Sequence, residues 1–457
     1  MSNGYHTFSV DCGNEIGTIK ALNGVNLGPI VMNGFMDLSE WMKPLRFPHV
    51  RLHDCPYSVS GTVDVHYLFP RFDADVDDPA NYDFAITDDY IQSILDLGSG
   101  IVFRLGESIE HHTRNKYHVH PPADNERWAR ICVNIIRHYN EGWAGGFHHG
   151  IRYWEIWNEP WVRPQCWTGT DEQWFDLYAA AARAIRAHDP SLKIGGPTAD
   201  GTWPNAFTAK FLDFVGKHDL PLDFFSWHKY ADHPRHVMDY AAFIRSELDR
   251  RGLNKTEIHL NEWNYHPGDD WSWKHDVPNW GKDVFTEMSS HAGAAFISTV
   301  LTGLQDQAID VGNFYWSNPG WWGIFNWWGG PHKTYYAFLA FARLLETPRR
   351  LSTQGTDIAS GNAILAAARE GGGEVRLLIS RFRAAGDRIC VSLENLPWQG
   401  ETEYETAIID ETRSLEVTHR GVLSHGEFFK DKQGPRIVQK LPAHAVMLVT
   451  LRPVKKA

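Results

Sequence analysis

Two glutamates, Glu159 and Glu262, sit in stretches of the same design. The first is Tyr153-Trp154-Glu155-Ile156-Trp157-Asn158-Glu159-Pro160 and the second is His259-Leu260-Asn261-Glu262-Trp263-Asn264. Each reads as a buried apolar strand that ends in a carboxylate with Asn and Trp beside it. Pro160 has no backbone donor, so it is expected to stop the first strand. A carboxylate at a strand end lies at the rim of a sheet, against aromatic surface. Apolar walls raise a carboxyl pKa, as a general acid near neutral pH requires. Two such groups facing one cavity can divide the cleavage of a glycosidic bond. One protonates the leaving oxygen, and the other attacks the anomeric carbon or activates water.

The elements that must position this pair follow from periodicity. Eight short apolar runs alternate with amphipathic segments: Ala21–Leu27, His49–His53, Ile101–Leu105, Ile151–Trp157, Lys193–Gly196, Phe224–His228, Glu257–Asn261 and Gly312–Trp316. Spacing of three and four predicts helices over Asn125–Tyr139, Gln173–His188, Phe243–Arg251, Phe285–Leu304 and Tyr335–Leu345. Asp171 and Pro190 are the expected start and stop signals of the second. Strands alternating with helices imply parallel pairing through right-handed crossovers. Eight units, with no Gly-rich dinucleotide fingerprint after the first strand, point to a (β/α)8 barrel. Reactive groups in such a barrel gather at the C-terminal strand ends. Glu159, after strand four, and Glu262, after strand seven, then share one face.

After Thr347-Pro348 the pattern changes to short strands, Ala363–Ala368, Glu374–Ile379, Arg388–Leu393, Thr406–Ile409, Leu415–Thr418 and Val446–Leu451, separated by Gly-rich or charged turns. This predicts an appended antiparallel β-sandwich. Thr7–Asp11 could add a strand to it. The expected division is an N-terminal segment (1–19) joining the sandwich, a barrel over 20–346 and the sandwich over 347–457.

The arrangement resembles clan A of the glycoside hydrolases, most closely family 39. Asn158-Glu159 matches the Asn-Glu motif that ends strand four in that clan, and Glu262 matches the strand-seven glutamate. Further matches are Arg51-Leu52-His53, Trp227-His228-Lys229-Tyr230 and Tyr315-Trp316. So are Gly323-Ile324-Phe325-Asn326 and Lys333-Thr334-Tyr335-Tyr336-Ala337-Phe338. The resemblance implies a retaining enzyme with Glu262 as nucleophile and Glu159 as acid/base. It implies that Asn158 contacts the sugar 2-hydroxyl and that Arg51 and Tyr230 hold Glu262 ionised and turned. His53 and His228 would bind hydroxyls, and Trp316 would form the floor under the sugar. Family 39 usually has glycine after the strand-two histidine, where this chain has Asp54. Glu262-Trp263-Asn264 also resembles family 51 arabinofuranosidases. The implied activity is exo-hydrolysis of β-xylosides or related small glycosides. An α-L-arabinosidase, a β-galactosidase or β-glucosidase, and a non-catalytic carbohydrate-binding protein are the alternatives.

Composition agrees with a globular protein. Hydrophobic residues make up 43% of the 457, enough to bury a large core. The formal net charge of −12 argues against nucleic acid or an anionic membrane as the main partner. The expected partner is a small glycoside or oligosaccharide, with homo-oligomers possible. There is no long apolar run and no signal-like start, and the five cysteines lack metal-like spacing. Free thiols and a cytoplasmic location are expected. No cofactor and no metal are expected.

Twenty tryptophans are more than packing alone demands. The clusters Trp271/Trp273/Trp280 and Trp316/Trp321/Trp322/Trp327/Trp328 are expected to offer flat faces to sugar rings and to wall off a pocket. The His-rich run from His111 to His120 lacks a converging ligand pattern, so it is read as a loop facing substrate or solvent. Glu107 and Glu110 nearby are possible substrate contacts. Glu155 is expected to be structural.

Overall fold

The computed structural model describes residues 5–57, 61–111, 114–201, 206–269, 280–423 and 435–454. Trp271 and Trp273 of the first tryptophan cluster, and His112 of the His-rich run, lie outside the described residues. So does the side chain of Trp280.

Eight parallel strands close into a barrel in sequence order: Gly24–Asn26, His49–Leu52, Gly100–Leu105, Tyr153–Ile156, Lys193–Asp200, Phe224–Ala231, Glu257–Tyr265 and Val311–Phe314. The last returns to the first through the pairs Asn313–Gly24 and Phe314–Val25. All eight expected strands are present. Strand four is shorter than its apolar run suggests. Its ladder stops at Ile156, because Trp157 turns to φ 68° and Glu159 to φ 42°. The backbone bend, not Pro160, therefore ends the strand. Strand seven is longer and carries Glu262 inside it. Its register with strand six shifts between Leu260 and Glu262.

Long helices follow strands two to eight, whereas strand one is followed only by the one-turn helix Ser39–Met42. Ala85–Leu95 and Ala206–His218 complete units two and five, which the pattern reading had not named. The helix after strand four spans Asp171–His188. Its cap is Thr170 rather than Asp171: the Thr170 hydroxyl accepts the Gln173 N–H, and the Gln173 side chain accepts the Thr170 N–H. The helix after strand six begins at Pro234, nine residues before the expected Phe243, where a proline is tolerated in the first turn. The expected helix Phe285–Leu304 is two helices, Trp280–Met288 and His291–Gly303. Ser290 breaks the run and caps the second by accepting the Ala292 N–H.

The second part is a nine-stranded sheet with its own core. Arg349–Gln354 and Arg436–Lys440 join the strands expected from sequence. The N-terminal strand Tyr5–Thr18 runs through this sheet. It pairs antiparallel with Arg349–Gln354 and parallel with Arg388–Glu394, so the sheet is mostly rather than wholly antiparallel. Phe8, Val10, Leu377, Val391, Ile437 and Val449 come from strands spread across the sheet yet share one core, so the sheet folds its inner face on itself.

The opposite face of the central strands packs on the barrel. Leu365, Leu378 and Leu448 belong to the barrel core cluster. His291–Gly303 lies between the two parts, and every residue from Ala292 to Gly303 is buried. A helix buried on all sides carries no polar stripe, as its small and apolar sequence shows. Thr299 and Ser380 share a hydrogen bond of 2.8 Å across this junction. All five cysteines are free, and only Cys390 is not buried.

Candidate active site

The site is organised by Arg51, which points from strand two into the barrel mouth and is fully buried. Its guanidinium donates four hydrogen bonds. Nε reaches Glu155 Oε2 at 2.6 Å, Nη1 reaches Glu262 Oε1 at 2.7 Å and Asn26 Oδ1 at 3.1 Å, and Nη2 reaches Asn158 Oδ1 at 2.7 Å. A buried cation persists only when paired and hydrogen-bonded, and this one is. Glu155 and Asn26 complete the cage from strands four and one, and Asn261 donates to the second oxygen of Glu155. Glu155 is structural, as expected.

Glu262 receives Arg51 on Oε1 and the Tyr230 hydroxyl on Oε2 at 2.8 Å. Two directional donors fix the carboxylate's rotation. Burial nevertheless pushes its pKa above the ordinary value of 4.5, against the opposing pull of His228 and Arg51. Burial, with the Glu262 charge second, raises the Tyr230 phenol far above its usual range, so Tyr230 remains a donor.

Glu159 stands opposite. An oxygen of Glu159, an oxygen of Glu262 and a ring nitrogen of His228 all lie within 4.8 Å of one another. His228 Nδ1 is 2.7 Å from Glu159 Oε1 and 3.4 Å from Glu262 Oε2. Burial lowers the His228 pKa to about 4, so the ring is neutral at neutral pH. An ionised carboxylate only accepts, so towards the ionised Glu262 and Glu159 the proton of the neutral ring sits on Nδ1. His228 thus serves both carboxylates, where sequence had suggested a hydroxyl-binding role. Behind Glu159, its backbone N–H donates to the Thr198 hydroxyl. Thr198 and Glu159 both have positive φ, at 56° and 42°. Such strain in non-glycine residues concentrates at functional sites.

Asn158 is buried and gives its carbonyl to Arg51. His53 is buried, held neutral by burial and by the nearby Arg104 and Arg51, with Nε2 3.3 Å from Asp54 Oδ2. Trp316 is half-buried and packs edge-on against Tyr315 with centroids 4.8 Å apart. Trp322 packs edge-on against Tyr230 at 5.2 Å, whereas Trp321, Trp327 and Trp328 are exposed. Trp154, Trp157, Trp167, Trp174, Trp227 and Trp263 are core residues, so the tryptophans divide between packing and half-buried or exposed positions.

Sequence reasoning missed Asn26, Asn261, Thr198 and Tyr315 as parts of the site. The Tyr315-Trp316 pair carried a usable signal for one of them, since Tyr315 directly precedes the expected floor residue.

The His-rich loop is built around its own contacts. Glu107 pairs with His66, and His118 stacks on His66 with centroids 3.5 Å apart. Glu110 accepts the backbone N–H groups of Tyr117 and His118. Asp64, His66 and Glu107 lie close enough to hold a cation. Asp64, however, is committed to Arg104 and Ser108, and Glu107 to His66. These donors and acceptors fit one another rather than an ion. A cavity of about 580 Å³ beside this loop includes neither Glu159 nor Glu262 in its walls.

Residues 33–248 match the family model described as glycosyl hydrolases family 39. That stretch contains Arg51, His53, Asn158, Glu159, His228 and Tyr230, but ends before Glu262 and Trp316. A β-xylosidase of Caldicellulosiruptor saccharolyticus is 28% identical over 221 residues, 43% of each chain. The chain thus matches less than half the length of this curated relative. Among solved structures, a glucosidase from Croceicoccus marinus superposes with a TM-score of 0.81 at 25% identity, covering 99% of this chain and 100% of that one. A β-xylosidase from Caulobacter crescentus shares the fold with a TM-score of 0.71 at 16% identity, covering 98% and 100%.

Proposed function

With residues 33–248 belonging to glycosyl hydrolase family 39, we propose that this protein is a retaining exo-glycoside hydrolase acting on β-xylosides or related small glycosides. The observation that carries the reading is the closeness of the two carboxyl groups, whose nearest oxygens lie within 4.8 Å. Retaining enzymes hold their carboxyl groups about 5–5.5 Å apart, whereas inverting enzymes leave about 6.5–9.5 Å for a water.

The reaction runs in two displacements. Glu262 attacks the anomeric carbon while the bond to the leaving oxygen breaks, and that oxygen takes its proton from Glu159. A water then attacks the same carbon, gives its proton to Glu159 and releases Glu262. Arg51 and Tyr230 keep Glu262 aligned throughout. The His228 N–H stabilises whichever glutamate is charged. When Glu262 becomes an ester its charge disappears, and Glu159 loses a like-charged neighbour as it turns from acid to base. Trp316, with Trp322 at the rim, offers apolar surface to the sugar ring. The five free cysteines fit a reducing compartment such as the cytoplasm.

A second substrate, a glucoside, is favoured by one observation: a solved structure that superposes over 99% of this chain at 25% identity is named a glucosidase. A panel of aryl β-xylosides, β-glucosides, β-galactosides and α-L-arabinosides, with the first-formed anomer followed by proton NMR, tests the reading. Turnover with retained configuration is expected. An inverted first product contradicts the mechanism. Sugar binding without turnover of any aryl glycoside contradicts the enzyme reading and leaves a carbohydrate-binding protein.

A further inference from the structure

Asp54 follows the strand-two histidine at a position with φ 53°, in the left-handed region. Glycine adopts this conformation freely, and among other residues Asp and Asn adopt it most readily. The bend lays the carboxylate against two groups from other loops. Oδ1 accepts the Ile109 N–H at 3.1 Å, and Oδ2 accepts the Tyr315 hydroxyl at 3.1 Å. His53 Nε2 lies 3.3 Å from Oδ2. A carboxylate offers about four acceptor positions. These neighbours occupy at most three, and 18% of the side chain remains exposed.

The position of this group relative to the reaction follows from Tyr315. Its ring packs edge-on against Tyr230 with centroids 6.1 Å apart, and the Tyr230 hydroxyl holds Glu262. Asp54, Glu262 and Glu159 all act on the Tyr315 phenol, and the same three act on the buried Cys166 thiol. The contacts from Asp54 through Tyr315 and Tyr230 thus lead to Glu262. Beside Asp54, the buried His53 Nδ1 has no hydrogen-bond partner among the described residues. A buried polar atom of this kind calls for a partner that the protein does not supply.

We infer that Asp54 is a specificity residue that accepts a hydrogen bond from a free hydroxyl of the bound sugar on the side opposite the anomeric carbon. The inference rests on the glycosidase reading above and narrows its substrate class. A carboxylate can only accept, and an oxygen already joined to a further sugar has no hydrogen to give. Asp54 thus selects a terminal residue, which is the basis of exo action.

The test is a cycle between enzyme and substrate. kcat/KM is measured for an aryl β-xyloside and its 3-deoxy and 4-deoxy analogues, with the wild type, Asp54→Gly and Asp54→Asn. Both replacements tolerate the left-handed backbone, and circular dichroism checks their fold. The wild type is expected to lose about 10- to 100-fold on one deoxy analogue, the range for a hydrogen bond to a charged group. Asp54→Gly is expected to lose a similar factor on the parent and little more on that analogue. If Asp54→Gly turns over too slowly, the same cycle is read calorimetrically from the binding of xylose and its deoxy forms. A deoxy penalty equal in wild type and Asp54→Gly, or absent in the wild type, overturns this inference alone. Absence of any turnover and any sugar binding overturns the glycosidase reading with it.

Discussion

Arg51 Nη2 donates to Asn158 Oδ1 at 2.7 Å, and this single contact decides which way the Asn158 amide faces. A guanidinium has only donors, so the amide oxygen must point to it. The Asn158 NH2 is left directed away from Arg51. In the proposed reaction it donates to the sugar 2-hydroxyl, a contact that strengthens as the ring becomes oxocarbenium-like. Asn158→Asp keeps an acceptor for Arg51 but loses the donor. It should fold normally and lose about 10²- to 10³-fold in kcat/KM, in line with the several kcal/mol available from such transition-state contacts. Steady-state kinetics with matched melting curves checks this. An unchanged rate would remove Asn158 from the site.

The same guanidinium sets a stability prediction. Arg51→Met leaves Glu155 and Glu262 buried without their shared cation. Breaking a buried pair from one side costs about 3–5 kcal/mol. Urea unfolding should show a loss of this order. A loss below about 1 kcal/mol would mean that the cage contributes little.

The acid limb of the pH–rate profile, read in an Asp54→Asn background because burial pushes Asp54 itself to about 6, should report Glu262. Burial raises its pKa above 4.5, and the nucleophile must be ionised to attack. kcat/KM should therefore fall as pH drops through a value above 4.5. The Tyr230 hydroxyl stabilises the charged form, so Tyr230→Phe should move this limb to higher pH and lower the plateau. Profiles of the two proteins, compared on one substrate, give the shift and its sign.

Asp54 gives a pH dependence of stability that is read without substrate. Burial raises its pKa from 3.8 to about 6. Between these values the folded state holds a proton that the unfolded state has released, so this group's contribution falls as pH rises. Asp54→Asn removes the group. The variant's stability relative to wild type should increase from pH 4 to pH 7, by at most about 3 kcal/mol. Urea melts across that range check the slope, and a flat or falling difference would contradict it.

Much of this was legible in the sequence, for physical reasons that can be named. The barrel strands are buried on both faces, so they read as short apolar runs, and Glu159 and Glu262 interrupt them where the cavity begins. Arg51 and Tyr230 were expected through the resemblance, on the matches Arg51-Leu52-His53 and Trp227-His228-Lys229-Tyr230. Asn26, Asn261 and Thr198 were not readable, because their roles exist only where strands distant in sequence converge. The bend at Trp157 was hidden because nothing in the residue type announces a positive φ. The break at Ser290 was masked by apolar spacing that continues on both sides of it. His228 was recognised as part of the site, but its position between two carboxylates required the folded geometry.

The central claim is that Glu262 forms a covalent bond to the sugar. Its most direct test is trapping with a 2-deoxy-2-fluoro glycoside that carries a good leaving group, followed by proteolysis and mass spectrometry of the labelled peptide. The account predicts one sugar per chain, attached to Glu262. A label on Glu159, or time-dependent inactivation with the label on neither glutamate, would contradict it.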